Sequence, residues 1–301
     1  MKLAHFKILV FCLPWCLVGC PCSKKTPTSP GSPIEPVPTT YDELPKWSPD
    51  GQTIAYIHDA HDTSELRNGA YQIWLISPDG SNKRYFRPGD SPSWSPDSRK
   101  LCFVSGAQIY SITIAGDSLT QLTDSGANHL PSWSKDGLKI AYESNVDGSY
   151  SLWEMNPDGS NKKKIAQSLD EADWSPTNSE IVADGYPPGD PYSSTQLYKV
   201  NVITGQTTRL TYDSYTDRSP SWSWDGKTIA YSSYNGIRLI NPDGTNSRLL
   251  PTLLPWEINS GQLYWICRNP SWSPDGKQIV YNKQYLWIIN ADGTGNHQIT
   301  N

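Results

Sequence analysis

The sequence predicts an all-β fold, a six-bladed β-propeller with four antiparallel strands per blade. Three observations predict it. A Trp-Ser dipeptide entering a turn recurs at Trp47, Trp94, Trp133, Trp174, Trp222 and Trp272, with spacings of 47, 39, 41, 48 and 50 residues. Periods in this range mark propellers, solenoids or arrays. Each interval then holds four short alternating runs parted by turn residues, which is the content of one propeller blade. The composition agrees: 13 Trp, 17 Tyr, 25 Pro and 22 Gly, with no long run of helix formers.

In chain order, the first element is a leader. Lys2 and Lys7 flank a short charged start, and an apolar run extends from Ile8 to Val18. Such a run is too short for a bilayer-spanning helix, which needs about 20 residues, so residues 1–19 read as a signal peptide. Leu17-Val18-Gly19-Cys20 resembles the lipobox of bacterial lipoproteins. The resemblance implies lipidation of the Cys20 thiol, cleavage before it and stable anchoring by two or more acyl chains. Cys12 and Cys16 would leave with the leader. Pro21, in place of an Asp, implies the outer membrane facing the periplasm in a Gram-negative host; a Gram-positive host implies the outer face of the cell membrane. Residues 20–41 are rich in Pro, Ser and Thr and read as an extended tether.

The propeller is read from 42 to 301. A first strand carries each Trp. The turn Pro49-Asp50-Gly51 and its relatives follow, Pro presetting φ and Gly supplying positive φ. A second strand alternates, as in Thr53-Ile54-Ala55-Tyr56. A third strand, such as Ile73-Trp74-Leu75-Ile76, precedes a second tight turn, Pro78-Asp79-Gly80. A fourth closes the unit, as in Thr208-Arg209-Leu210-Thr211. A residue at the same place in every blade serves what all blades share, so the six tryptophans are expected to pack between blades. Cys102 and Cys267 fall in blades two and six, which a ring keeps apart, and read as small buried hydrophobes. The chain ends on a fourth strand, so blades one and six are expected to meet without a shared strand, unless residues 33–41 add an edge strand.

Pro-Ser-Trp-Ser-Pro-Asp-Gly-Lys-x-Ile, followed by Ile-Trp-x-x-x-x-x-Asp-Gly, resembles the WD40-like propeller repeats of the TolB family, periplasmic components of the Tol–Pal system. Similar repeats occur in propeller domains of prolyl-oligopeptidase-type enzymes. The resemblance covers about 260 of the 301 residues. TolB proteins carry an α/β domain before the propeller, where this sequence has its tether. No Gly-x-Ser-x-Gly elbow is present, so the peptidase resemblance brings no catalytic half.

The turns within the Trp and Asp-Gly segments are short and constant. The loops between second and third strands and between blades vary, and an up-and-down chain brings these two sets to one face. Variable loops on a rigid scaffold carry binding residues. Three stand out. Residues 57–70 hold His58, His61 and Asp62, weak candidates for a metal. Residues 184–195 and the loop after them offer Tyr186, Asp190, Tyr192, Tyr215, Asp217 and Arg218, types suited to protein or glycan contact. Residues 251–268 hold Trp256 and Trp265 in the most apolar insertion. A net charge of -5 and no basic stripe argue against nucleic acid, and a negative central funnel fits that mild acidity. The expected function is that of a monomeric, lipid-anchored, non-enzymatic module without cofactor, engaging an envelope protein, peptide or glycan. The alternative is a propeller-fold metal-dependent lyase or hydrolase using the loop His and Asp residues.

Overall fold

Turn chemistry decides where the strands begin. After Trp47, the Gly51 N–H donates to Ser48 O at 2.9 Å. Ser48 Oγ donates to Asp50 Oδ1 at 2.6 Å and accepts from the Thr53 N–H at 2.9 Å. The Ser and Asp of the repeat therefore satisfy backbone and one another as the chain reverses. The same Ser-to-Asp bond recurs at Ser95–Asp97, Ser134–Asp136, Ser223–Asp225 and Ser273–Asp275. In blade four Thr177 replaces the Asp, and its hydroxyl meets Ser175 at 3.2 Å. Where most blades place Gly, Ser98 and Asn178 hold φ of 58° and 57°. Each uses its side chain: Ser98 Oγ accepts from Asp50 N–H at 3.0 Å, and Asn178 Oδ1 from Lys135 N–H at 2.8 Å. The departures from Gly thus add bonds between blades.

The computed structural model describes residues 40–60, 71–186, 194–252 and 267–301, all within one unit, Pro38–Asn301. Blade one is β1 (Thr40–Trp47), β2 (Ile54–Ala60), β3 (Gln72–Ile76) and β4 (Arg84–Pro88). Blade two is β5 (Asp90–Trp94), β6 (Lys100–Ser105), β7 (Gln108–Thr113) and β8 (Thr120–Gln121). Blade three is β9 (Asn128–Trp133), β10 (Ile140–Ser144), β11 (Ser151–Met155) and β12 (Lys163–Gln167). Blade four is β13 (Leu169–Trp174), β14 (Glu180–Gly185), β15 (Gln196–Asn201) and β16 (Thr207–Arg209). Blade five is β17 (Arg218–Trp222), β18 (Ile229–Ser233), β19 (Gly236–Ile240) and β20 (Arg248–Leu249). Blade six is β21 (Arg268–Trp272), β22 (Gln278–Lys283), β23 (Tyr285–Asn290) and β24 (His297–Gln298). Each blade is a separate four-stranded antiparallel sheet in sequence order, so the six-bladed architecture read from the sequence is the one observed.

The core lies between the blades. Six apolar clusters fill the six junctions, and each contains one of the repeated tryptophans. These side chains are between 1% (Trp174) and 7% (Trp47) exposed. Alternation on the second strand sends side chains into both neighbouring junctions. On β2, Ile54 and Tyr56 join the junction with blade six, while Ala55 and Ile57 join the one with blade two. Cys102 and Cys267 are buried in different junctions, and no disulfide joins them.

Among the described residues, the ring closes by packing and hydrogen bonds rather than by a strand shared between blades. At the junction of blades six and one, Asp42 N–H donates to Gln284 O at 2.7 Å, and Trp47 N–H donates to Ser271 Oγ at 3.0 Å. The second-turn glycines seal outer edges: a Cβ on Gly159, at φ +83°, would lie 2.7 Å from Leu122 O of blade two.

Candidate functional site

The innermost strands line an axial channel, and each carries a bulge. The ladder shifts register between Glu43 and Lys46, Asp90 and Ser93, Asp170 and Asp173, Arg218 and Ser221, and Arg268 and Ser271; β9 shifts opposite Ala141 and Glu143. The residue three before each Trp is left-handed: Leu44, Ser91, Leu130, Glu171, Ser219 and Asn269 have φ from 44° to 52°. Bulges re-aim side chains, and all six of these residues line one cavity of about 400 Å³. A second cavity, of about 610 Å³, is walled by Trp47, Trp94, Trp133, Trp222, Trp224 and Trp272. Lys46 and Pro131 border both.

Comparing blades position by position separates what the fold needs from what one blade adds. The residue before the Trp is Ser in four blades, and in blades two and six it clasps the next blade: Ser93 Oγ accepts from Trp133 N–H at 3.1 Å and Ser271 Oγ from Trp47 N–H at 3.0 Å. Blade four has Asp173, whose Oδ2 keeps that bond, accepting from Trp222 N–H at 2.7 Å. Its Oδ1 pairs with Lys135 Nζ at 3.1 Å, and the same ammonium stands 4.8 Å from the Trp224 ring centroid. Blade one has Lys46, placed across the ring from blade four. Burial pushes Lys46 below the ordinary lysine value, with Asp173 and Glu171 opposing that shift. Burial, then Asp170, raises Glu171, whose Oε2 has no hydrogen-bond partner.

Toward the loop-rich mouth the carboxyls thicken. Asp170 and Asp184 are direct cross-strand partners. Asp184 is held well above the usual carboxylate range by burial, then by Asp170 and Glu171; its Oδ2 accepts from Ser219 N–H at 3.2 Å. Glu143 is pushed up to about 8, first by burial and then by the same two acids. Arg218 is half-buried, with Nη2 donating to Thr195 Oγ1 at 3.3 Å. Asp217 is fully buried rather than presented by its loop, and burial lifts it to about 6. Its N–H donates to Thr195 O at 2.9 Å, which turns the side chain inward beside Thr211 and Ser233.

The rim over blades four and five is aromatic. Tyr186, Tyr212, Tyr215 and Tyr234 are exposed. Tyr215 stacks on Tyr234 at 5.3 Å between centroids, and the Arg209 guanidinium lies 4.9 Å from the Tyr212 centroid. In blade one, His58 Nδ1 bonds Asp42 Oδ1 at 2.7 Å, and the imidazole meets Trp74 edge-on at 5.5 Å. Among the described residues, no group of three or more His, Cys, Asp or Glu is placed to hold a metal ion. Cys20, His61, Asp62, Asp190, Tyr192, Trp256 and Trp265 lie outside the described residues. Sequence reasoning missed Lys46, Glu171, Asp173 and Lys135; the signal was Leu-Asp-Glu-Ala-Asp-Trp in blade four, where blades one, two, three, five and six have Pro two before the Trp.

Residues 43–185 match the family model of the TolB β-propeller domain. The repeats within residues 43–185 are of the TolB propeller type. The chain is 28% identical over 207 residues to an uncharacterized protein of Agrobacterium fabrum, covering 62% of this chain and 68% of that one. It is 26% identical over 199 residues to YuxL, an uncharacterized peptidase of Bacillus subtilis, covering 63% of this chain and 29% of the peptidase. With the Tol-Pal system protein TolB of Alcanivorax borkumensis it shares 33% over 106 residues, covering 32% of this chain and 23% of TolB. The chain thus spans under a third of the latter two relatives. Among solved structures, a putative TolB from Agrobacterium tumefaciens superposes with a TM-score of 0.65 at 20% identity, covering 76% of this chain and 87% of that one. An oligogalacturonate lyase in complex with manganese does so with a TM-score of 0.57 at 15% identity, covering 87% and 78%. At these identities the likeness is one of fold.

Proposed function

We propose that this TolB-type propeller is an exported, lipid-anchored interaction module that engages an envelope protein through its loop-rich face. The observation that carries the reading is the gathering of Tyr186, Tyr212, Tyr215 and Tyr234, all exposed, at one sector of that face. Tyr offers a large amphipathic contact at low entropic cost, and such residues anchor protein interfaces. The opposite face spends its polar groups on its own turns, as at Ser48–Asp50 and Ser273–Asp275. The lipobox-like Leu17-Val18-Gly19-Cys20 supports export and anchoring.

Crosslinking with mass spectrometry in the native envelope tests the partner claim. A reproducible protein crosslinked near Tyr215, lost on a Tyr215→Ala/Tyr234→Ala double substitution, is expected. Crosslinks confined to the short-turn face, or no reproducible partner, would overturn it. Cys20→Ser is expected to release the protein from the membrane fraction, and persistent association would refute the anchor. Stoichiometric manganese, zinc or calcium retained by the native protein and lost on His58→Ala would favour the lyase or hydrolase reading instead.

A further inference from the structure

The outer edge of blade one holds its charges differently from the edge most like it. β4 is the last strand of its sheet. Lys83, Arg84 and Arg87 fall within five residues along it, in a chain of net charge -5. Rings rather than carboxylates position two of them. Lys83 Nζ stands 5.5 Å from the Trp74 ring centroid, and the Arg87 guanidinium lies 4.2 Å from that of Phe103. A ring face attracts a cation without cancelling its charge. Among the described residues, no carboxylate pairs with Lys83, Arg84 or Arg87. Blade three carries the comparable run Lys162-Lys163-Lys164 along β12. There Asp147 Oδ2 neutralises Lys164 Nζ at 2.7 Å, and Lys162 Nζ donates to Gly159 O at 2.6 Å. Exposed tyrosines flank the blade-one cations. Tyr85 meets Trp74 edge-on at 5.9 Å, and Tyr71 O accepts from Gly89 N–H at 2.8 Å just past β4. The described chain also begins in this blade, at Thr40 of β1.

We infer that this edge rests on an anionic phospholipid surface, with Lys83, Arg84 and Arg87 toward the lipid phosphates and Tyr71 and Tyr85 in the interfacial layer. Each cation near such a surface is worth about a fivefold gain in binding, so three give about a hundredfold. Tyrosine, with an apolar body and a polar tip, suits the same boundary. Charged edges also guard against pairing with another sheet, but that role does not call for exposed tyrosines beside the charge. The choice of a bilayer as occupant rests on the anchor proposed above. Residues 20–39 can span at most about 70 Å, so a lipid at Cys20 keeps blade one close to a membrane. An acidic protein would answer the same cations, yet nothing holds one near this edge. A hundredfold gain orients a tethered chain, for which the surface is already at high effective concentration. It is too small to retain a released one, so the Cys20→Ser chain is still expected to leave the membrane fraction.

Cosedimentation of the mature full-length chain carrying Cys20→Ser with sucrose-loaded vesicles tests it. Pure phosphatidylcholine is set against phosphatidylcholine with about one-third phosphatidylglycerol. At low salt, partitioning is expected to be at least tenfold stronger on the anionic vesicles, and to fall to the phosphatidylcholine level at high salt. Lys83→Glu/Arg84→Glu is expected to abolish the difference. Lys163→Glu/Lys164→Glu makes the same change in net charge on β12 and is expected to retain it, with circular dichroism checking that both variants fold. Should the first variant fail to fold, acetic anhydride footprinting of the chain without it decides. Anionic vesicles are expected to protect Lys83 while leaving labelling of exposed Lys227 unaltered. Equal partitioning on the two vesicles, equal loss in the two variants, or no protection of Lys83 would each overturn the inference. So would capture by polyglutamate but by neither vesicle, which would assign the edge to an acidic protein. None of these outcomes uses the acyl chain, so they stand apart from the release assay that reads the anchor.

Discussion

Replacing Trp47 with alanine is expected to weaken the ring at its one junction without a covalent link. Trp47 is 7% exposed and packs with Ile54, Tyr56 and Ile76 of blade one and Val280, Leu286 and Ile288 of blade six. A buried Trp removes about 200 Å² from water, worth about 5 kcal/mol at about 25 cal/mol per Å². Alanine keeps a part of that, and the cavity left behind adds to the cost, so a loss of about 3–5 kcal/mol is expected. Trp133 is an internal control. It is also 7% exposed and fills the junction of blades two and three, where the chain runs directly from one blade to the next. That connection keeps the two blades near one another when packing weakens. At the seam the Asp42–Gln284 and Trp47–Ser271 bonds both use Trp47 or its own strand. Trp47→Ala is therefore expected to lower the urea m-value as the seam opens first, whereas Trp133→Ala shifts the midpoint at constant m. Far-UV circular dichroism in urea measures both. For a domain of this size each kcal/mol is worth roughly 2–4 °C, so a thermal shift of about 10 °C should accompany the loss. A cost for Trp47→Ala below about 1 kcal/mol, or identical m-values in the two variants, would refute the seam argument.

Stability should fall as pH rises from about 4.5 toward 8, because Glu143, lifted to about 8, keeps in the folded state a proton that the unfolded chain releases. The slope from one such group is at most about 1.4 kcal/mol per pH unit, and Glu143→Gln should flatten it in urea titrations at pH 5, 6.5 and 8. A residual slope of the same sign is expected from Asp184 and Asp217, both also raised by burial. Asp173→Ser restores the residue common to four blades and keeps an acceptor for Trp222 N–H, so it should cost under about 1 kcal/mol, while Asp173→Leu orphans that donor and should cost about 1–3 kcal/mol. Gly159→Ala should destabilise by more than about 2 kcal/mol, since it combines left-handed strain with a Cβ 2.7 Å from Leu122 O; a near-neutral melt would mean the outer edges yield freely.

The fold was legible because each blade repeats the same local instructions. The Ser–Asp–Gly turn is written within five residues, and the alternation of Ile54, Ala55, Tyr56 and Ile57 encodes a strand buried on both faces. The channel was not legible, for two physical reasons. First, strict alternation would place the residues one and three before each Trp on the same side, and the bulge breaks that count at the left-handed residue; nothing local marks Leu44 or Leu130, at φ 49°, as residues that would accept such backbone. Second, Lys46 and Glu171 approach only because the ring closes, so no spacing in the chain relates them. Asp217 failed for a related reason: a loop acid reads as solvated, and only the bond from its own N–H to Thr195 O turns the side chain inward. Once the ring is known, the sequence can be read again by subtraction. Residues present at one position in every blade, such as the six tryptophans, answer the shared problem of burying blade faces. Residues that break the pattern at a peripheral turn, such as Ser98 and Asn178, answer it by another bond. The breaks that answer no packing need are those on the axis. Lys46 gives up the hydroxyl found there in four blades, and Glu171 buries a carboxylate whose Oε2 has no hydrogen-bond partner. Both are costs to stability that the fold could shed with a Ser and an Asn, residues it already uses at the same two positions in other blades. Their placement on one cavity makes the axis, rather than the insistent Trp-Ser repeat, the part of the molecule where the blades depart from their shared pattern.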